Sequence, residues 1–468
     1  MKILLINPTI RDHHPPYSFP VGLGILAAIM RSQGHEIHVY DQNALRTSNT
    51  DMFRALKKLK EVDVIGTGGL ITTYAHLKKI VPGVREVFPN AKIIIGGGVT
   101  VEPEIIFKHL SPDFCVHGEG EHTFPKLCAA LVKKEIDLSS VDGISFLKNG
   151  ELVRNNPRAI ERNLNLFPMP AYALFPSEIY FKNNVIKNLV GLDVETERCA
   201  TLMWSRGCPN KCTFCWRMMG QTVRFRSVEL VMEEIGFLRS KYDVDSYTFI
   251  DECINASKTH SREFASRLID NGYAAPWYSH ARVNNFDEKL ASLFRQSGCV
   301  GLNFGIESGS PEMLEVMNKK ASPEQASSAV KVAQDTGIES VCTFIIGMPG
   351  ETKSTVKDSI RWIKSNKVQR TVFFFANPYP GCDLYNMPLV QERILEKYGT
   401  KDRFFSVLGD AVDLCVNMTD FSDSQLLSLK KYAERQVSLF SLHKWISLLR
   451  EPKRLVPALK SRVKLLRR

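Results

Sequence analysis

Short apolar runs rich in β-branched residues alternate with helical patterns twice along this chain, and that alternation admits few folds besides parallel sheets covered by helices. In the first stretch, Lys2–Asn7, Glu36–Tyr40, Val62–Gly66, Lys92–Ile95 and Phe114–Val116 read as strands. Val21–Ser32, Asp51–Lys60, Tyr74–Val87 and Glu121–Lys133 read as helices between and after them. Right-handed crossovers then give a doubly wound parallel sheet, which takes its ligand at the carboxyl ends of the strands. The second stretch reads as six strands, Ala200–Trp204, Ser246–Ile250, Trp277–His280, Gly301–Ile306, Ser340–Ile346 and Thr371–Ala376. Six parallel strands suit an open or partial barrel with its site at the same ends. The expected organisation is an α/β chain with domains at 1–140 and 198–385. A linker or irregular crossover at 141–197, interrupted by Asn and Pro, joins them, and a helical region at 386–468 follows.

Bulk properties narrow the class. The first apolar run is too short for a signal peptide, and no run approaches the roughly 20 apolar residues that span a bilayer. The eleven scattered cysteines suit a reducing compartment better than a disulfide framework, so the cytoplasm is expected. The net charge is +11, yet residues 443–468 hold nine Lys or Arg against Glu451 alone. Eight of the eleven charges therefore sit in the tail, interleaved with Trp445, Leu448, Leu449, Leu455, Val456 and Leu459. That pattern fits a helix lying on an anionic membrane surface, or equally a core-packed helix with a solvated basic face. Nucleic-acid binding is not expected, because aromatic and basic residues are interleaved nowhere else.

The chemistry lies in Cys208-Pro209-Asn210-Lys211-Cys212-Thr213-Phe214-Cys215, directly after the first strand of the second stretch. Three thiolates in eight residues can hold three corners of an iron–sulfur cube and leave the fourth iron open to a ligand. A structural zinc site is the competing reading. It favours four ligands and paired two-residue gaps, and only Cys199 is near as a fourth.

With Phe214 just before the third cysteine, this stretch resembles the radical S-adenosylmethionine superfamily. Further motifs follow in strand order: Asp251-Glu252, Arg282 in Ser279–Val283, Gly305–Gly309, Gly347–Glu351 and Pro378–Gly381. The resemblance implies a [4Fe-4S] cluster on Cys208, Cys212 and Cys215. Its open iron would chelate S-adenosylmethionine, and an electron from a flavodoxin- or ferredoxin-like donor would release a 5′-deoxyadenosyl radical. It also implies that Asp251 and Glu252 face the methionine amino group and that Arg282 pairs with the carboxylate. Glu307 and Ser308 would bond ribose or amino group, and Gly347 and Gly350 would admit the adenine. Taken singly, Arg282 also reads as a strand-end ion pair, Glu307 as a helix cap and Gly347–Gly350 as a turn.

The first stretch resembles the cobalamin-binding domain that precedes the radical domain in one large subclass. The matching residues are Asn7-Pro8, Pro20–Gly24, Gly66-Thr67-Gly68, Thr72-Thr73-Tyr74, Gly96-Gly97-Gly98 and Gly118–Glu121. Small residues at Gly66, Gly96, Gly97 and Gly98 would form a trough for the cofactor, with the hydroxyls of Thr72 and Thr73 bonding its polar groups. An Asp-x-His-x-x-Gly motif is absent, and Asp12-His13-His14 has the wrong spacing, so no cobalt ligand is assigned. The domain order implies methylation of an unactivated carbon, with methylcobalamin as donor. Members sharing that order act on hopanoids, tetraether lipids and porphyrins, which with the basic tail points to a hydrophobic substrate. Radical cyclisation or carbon–carbon bond formation, and a non-catalytic metal- or cobalamin-binding role, are the alternatives. Cys382, in Pro380-Gly381-Cys382, is expected to be buried.

Overall fold

In the computed structural model, residues 1–11, 14–132, 137–368 and 370–448 are described, the last ten of them by backbone alone. Five parallel strands open the chain: β1 (Lys2–Asn7), β2 (Glu36–Asp41), β3 (Val64–Gly68), β4 (Lys92–Gly96) and β5 (Phe114–Val116). Their spatial order is β2-β1-β3-β4-β5, so the strand order reverses between β1 and β3. Such a reversal leaves a crevice at the strand carboxyl ends. Alternate residues of β1 serve opposite faces of the sheet: Ile3 and Leu5 pack in one apolar cluster, Leu4 and Ile6 in another.

The stretch read as a linker contains ordered structure. β6 (Ile144–Lys148) and β7 (Glu151–Arg154) form an antiparallel hairpin that continues the sheet beyond β5. Its turn is Asn149-Gly150, both left-handed at φ 54° and 83°, which is the two-residue hairpin turn that such a dipeptide favours. Further on, Tyr172, Phe175 and Tyr180 surround Phe19 at ring separations of 4.7, 5.1 and 5.8 Å. These rings belong to one apolar cluster that runs from β1 to Trp204 and Trp277 of the second domain. The segment thus fills the seam between the domains with aromatic core.

The second domain is the expected six-stranded parallel sheet. It comprises β8 (Cys199–Leu202), β11 (Ser246–Phe249), β12 (Trp277–Ala281), β13 (Cys299–Glu307), β14 (Glu339–Ile346) and β15 (Arg370–Phe375), adjacent in that order. A two-residue ribbon, β9 (Ser205–Arg206) with β10 (Arg224–Phe225), closes the base of the cysteine loop. The region from 386 is helical, with helices at Pro388–Tyr398, Lys401–Val407 and Asp423–Leu448. It is tied to the first domain by Asp402, which accepts from Tyr74 and Lys78, and by Glu102, which accepts from Tyr385 and Lys401. Cys382 is fully buried. The side chains of the basic tail lie outside the described residues. Among the described residues no helix is long and apolar enough to cross a membrane.

Candidate active site

The cysteine loop follows β8 and is fixed from two sides, by Met317-Asn318 and by Leu384. Thr213 N–H donates to Met317 O at 3.0 Å, Leu384 N–H donates to Thr213 O at 2.7 Å, and Asn318 Nδ2 donates to Lys211 O at 2.7 Å. Cys212 is buried, Cys208 half-buried, and Cys215 opens outward. All eleven cysteines are free thiols. Although Cys215 as a residue is exposed, desolvation of its sulfur, then the neighbouring Cys212 and Cys208, then Glu252 and Glu307, push its thiol up to about 12. Bound iron, being cationic, would remove that penalty and hold the thiolates deprotonated. Among the described residues no group of three His, Cys, Asp or Glu gathers around a single metal ion. One thiolate per corner of a cube needs no such convergence, whereas a closed tetrahedral zinc site does. Two donors are already aimed at sulfur: Asn210 Nδ2 is 3.3 Å from Cys208 Sγ, and Arg282 Nη1 is 3.6 Å from Cys212 Sγ. Such bonds tune a cluster's potential.

The carboxylates divide by environment. Asp251 is buried and accepts from Ser205 N–H, from Ser205 Oγ at 2.5 Å and from Trp204 N–H at 3.3 Å. It staples the root of the cysteine loop to β11, and burial pushes its carboxyl up to about 6. Glu252 is exposed, with the Gly207 and Met219 amides facing its carboxylate. Of this pair only Glu252 is open to a ligand.

Glu307 ends β13 in a left-handed conformation, φ 67°, at an irregularity in the pairing with β14. That turn aims its carboxylate at Lys319 Nζ, 2.6 Å away, with both side chains less than a tenth exposed. A Cβ at Gly305 would meet the Glu307 carboxylate and Lys319 Nζ, so a side chain there would displace this pair. Lys319 Nζ also lies 6.0 Å over the Phe214 ring, and its backbone oxygen accepts from Arg282 Nη2. Arg282 itself is clamped by Asn255, which accepts from its amide at 2.8 Å and donates to its carbonyl at 2.7 Å. Phe214, Glu307, Lys319, Arg282 and Cys212 thus form one contiguous group. Sequence reasoning missed Lys319 and Asn255; their only signal was polarity just beyond a strand or helix end.

Ser308 points elsewhere. Its hydroxyl lies 3.3 Å from Ser359 Oγ on an outer helix and accepts from Ser310 N–H at 3.1 Å. Gly347 and Gly350 are left-handed, at φ 98° and 81°. Nothing fills the space a Cβ would take at Gly350, whereas Gly347 backs onto Leu426, and its amide faces buried Glu351 at 3.4 Å.

In the first domain the glycines also differ. Gly66 is buried, and a Cβ there would overlap Leu5 and Phe124, so core packing requires it. Gly97, at φ 79°, abuts the Gly69 backbone, and Gly98 lies under the Trp216 indole. Gly96 is open, with Val116 O at 3.9 Å as the only neighbour of a Cβ. The Thr73 hydroxyl donates to Leu70 O at 2.6 Å, closing the turn that leaves Thr72 half-exposed and Leu70 exposed. Gly96, Leu70 and Thr72 are therefore the strand-end residues left accessible here. His117, beyond β5, meets Ser145 Oγ at 2.6 Å, and burial lowers its pKa.

A three-cysteine loop at the strand carboxyl ends of one parallel sheet, preceded in the chain by a second parallel sheet, is the arrangement of a radical enzyme with a second cofactor domain. Comparison with known proteins gives the same division. The radical SAM superfamily model matches residues 202–363, and the B12 binding domain model matches residues 10–128. An uncharacterized methyltransferase of Pyrococcus horikoshii is 30% identical over 97% of this chain and 94% of its own. The cytidylyl-2-hydroxyethylphosphonate methyltransferase of Streptomyces wedmorensis is 28% identical over 82% and 80%. The hopanoid C-3 methylase of Methylococcus capsulatus is 23% identical over 82% and 72%. The fold is that of the radical S-adenosylmethionine methyltransferase TsrM of Kitasatospora setae, solved with cobalamin and a [4Fe-4S] cluster. The TM-score is 0.71 at 18% identity, covering 84% of this chain and 78% of that one. The chain belongs to the cobalamin-dependent radical S-adenosylmethionine enzymes, in the group that holds the methyltransferases. Its cofactors are a [4Fe-4S] cluster, S-adenosylmethionine and cobalamin.

Proposed function

We propose that this enzyme methylates an unactivated carbon of a hydrophobic, lipid-like substrate. The observation that carries the substrate class is where large apolar side chains are left exposed. Three of the fifteen exposed large apolar side chains among the described residues, Ile10, Leu70 and Ile250, follow the carboxyl ends of β1, β3 and β11, the ends to which we assign the two cofactors. Exposed apolar side chains at a cofactor-bearing face suit an apolar ligand better than a charged one. The likeness to a hopanoid methylase supports the same reading.

The geometry supports the following residue roles. Cys208, Cys212 and Cys215 would hold the cluster, which supplies the electron that cleaves bound S-adenosylmethionine. Arg282, whose Nη1 lies 3.6 Å from Cys212 Sγ, and Lys319, whose carbonyl accepts from Arg282, would receive the methionine carboxylate. Glu252 would accept from its amino group. Glu307, held by Lys319, would face the ribose, with Phe214 packing beside it. Gly350 would leave room for the adenine. Gly96, Leu70 and Thr72 would receive cobalamin, which supplies the methyl group. Electrons would come from a flavodoxin- or ferredoxin-like protein.

The test is to incubate the reconstituted enzyme, without oxygen, with hopanoid and isoprenoid lipids and S-adenosylmethionine carrying a deuterated methyl group. A lipid that gains one CD3 supports the proposal. A product altered in mass without CD3 favours cyclisation or carbon–carbon bond formation, and turnover confined to polar substrates contradicts the hydrophobic class. The tail at 443–468 would bring the enzyme to the lipid surface. Removing it should abolish binding to anionic liposomes, and unchanged binding contradicts that role.

A further inference from the structure

The two cofactors are held by different domains, so the distance between them depends on how the cluster loop is fixed to the first domain. Both ends of that loop reach across. Arg206, two residues before Cys208, is 2% exposed. Its Nη2 donates to Glu121 Oε1 at 2.5 Å, and its Nη1 lies 3.2 Å from Glu119 Oε1. Arg224, its partner in the β9–β10 ribbon, donates from Nη1 to Glu119 Oε2 at 2.8 Å. Glu119 lies in the turn after β5 and Glu121 in the first turn of the helix that follows, Gly120–Val132. Their carboxylates face the cluster loop. At the other end, Trp216 follows Cys215 directly. Its ring is packed against Gly98 of the first domain and Gly381 beyond β15, so that a Cβ on either glycine would overlap it. Gly98 has no positive φ to explain it; the indole is what excludes a side chain there.

We infer that Arg206 and Trp216, with Glu119, Glu121 and Arg224, are positioning residues that set the separation of the cluster and cobalamin by pinning the cysteine loop at both ends. The inference rests on the cofactor assignment above. A buried set of charges is no more stabilising than an apolar filling of the same volume, so stability alone does not account for it. Paired guanidinium forks on carboxylates do fix direction as well as distance. Transfer between two bound groups is steeply sensitive to that distance, about a hundredfold for a 1 Å misplacement.

The test uses holoenzyme variants Arg206→Lys, Glu121→Gln and Trp216→Phe, each checked for iron and cobalamin content. Two readouts report geometry apart from turnover. One is the magnetic dipolar coupling between the reduced cluster and cob(II)alamin. The other is the ratio of S-adenosylhomocysteine, which needs the corrin within reach of bound S-adenosylmethionine, to 5′-deoxyadenosine, which needs only the cluster. The variants should keep both cofactors, show altered coupling, and lower the ratio on the order of tenfold. Should Arg206→Lys fail to fold, the near-isosteric Glu121→Gln and the conservative Trp216→Phe carry the same expectation. Wild-type coupling and ratio in those two overturn the inference. Wild-type protein that forms neither product overturns the cofactor assignment instead.

Discussion

Lys319→Met is the substitution for which the structure gives the clearest magnitude. Lys319 and Glu307 are both nearly excluded from water and 2.6 Å apart. Methionine fills much of the lysine volume but leaves the Glu307 carboxylate buried without its counter-charge. Breaking such a pair from one side costs about 3–5 kcal/mol, because the remaining ion keeps its desolvation penalty. Glu307→Gln, which strands the ammonium, should fall in the same range. The double variant Lys319→Met/Glu307→Gln removes both charges and should recover much of the loss, giving a coupling of several kcal/mol in a double-mutant cycle. Urea unfolding of the iron-free protein, followed by circular dichroism in all four forms, measures it. Because the Lys319 carbonyl also accepts from Arg282, the single variants should bind S-adenosylmethionine more weakly after reconstitution. Single costs below about 1 kcal/mol, the range of exposed ion pairs, would refute the claim that this pair is desolvated.

The other predictions are more local. Gly66→Ala should destabilise by about 1–3 kcal/mol through overlap with Leu5 and Phe124, yet leave cobalamin affinity unchanged in a binding titration. Asp251→Ala removes the acceptor for Ser205 and Trp204, should cost about 1–3 kcal/mol, and should lower iron content after reconstitution. Burial pushes Glu351 up to about 7 from an ordinary value near 4.5. The folded state therefore holds the proton more tightly, and this residue's contribution to stability falls as pH rises from about 4.5 to about 7. Glu351→Gln should flatten that part of the stability–pH profile, measured by urea midpoints at pH 5 and pH 8.

Most of the architecture was legible because the strands are apolar and their ends are marked by Gly, Pro or charge. The hairpin at Ile144–Arg154 was legible too, through Asn149-Gly150, but the prolines and asparagines around it suggested a linker. The cluster loop is local in sequence, so its three cysteines and Phe214 stand together as a motif. What surrounds it is assembled from distant strand ends, and there residue type misleads. Asp251 and Ser308 carry suitable groups, but other parts of the chain engage them. Gly66 and Gly98 are small for packing reasons, and Thr73 closes its own turn. Lys319 and Trp216 lie in no pattern that spacing alone could mark, since their roles arise only when the chain brings β13 and β4 to the cysteine loop.

The most direct test of the account is to purify and reconstitute the protein without oxygen, add a low-potential reductant and S-adenosylmethionine, and assay both products of the cofactor. An absorption spectrum showing iron–sulfur and cobalamin together, with 5′-deoxyadenosine and S-adenosylhomocysteine both formed and both lost in Cys212→Ala, is the expected result. Protein that takes up neither cofactor, or holds both and forms neither product, would contradict it.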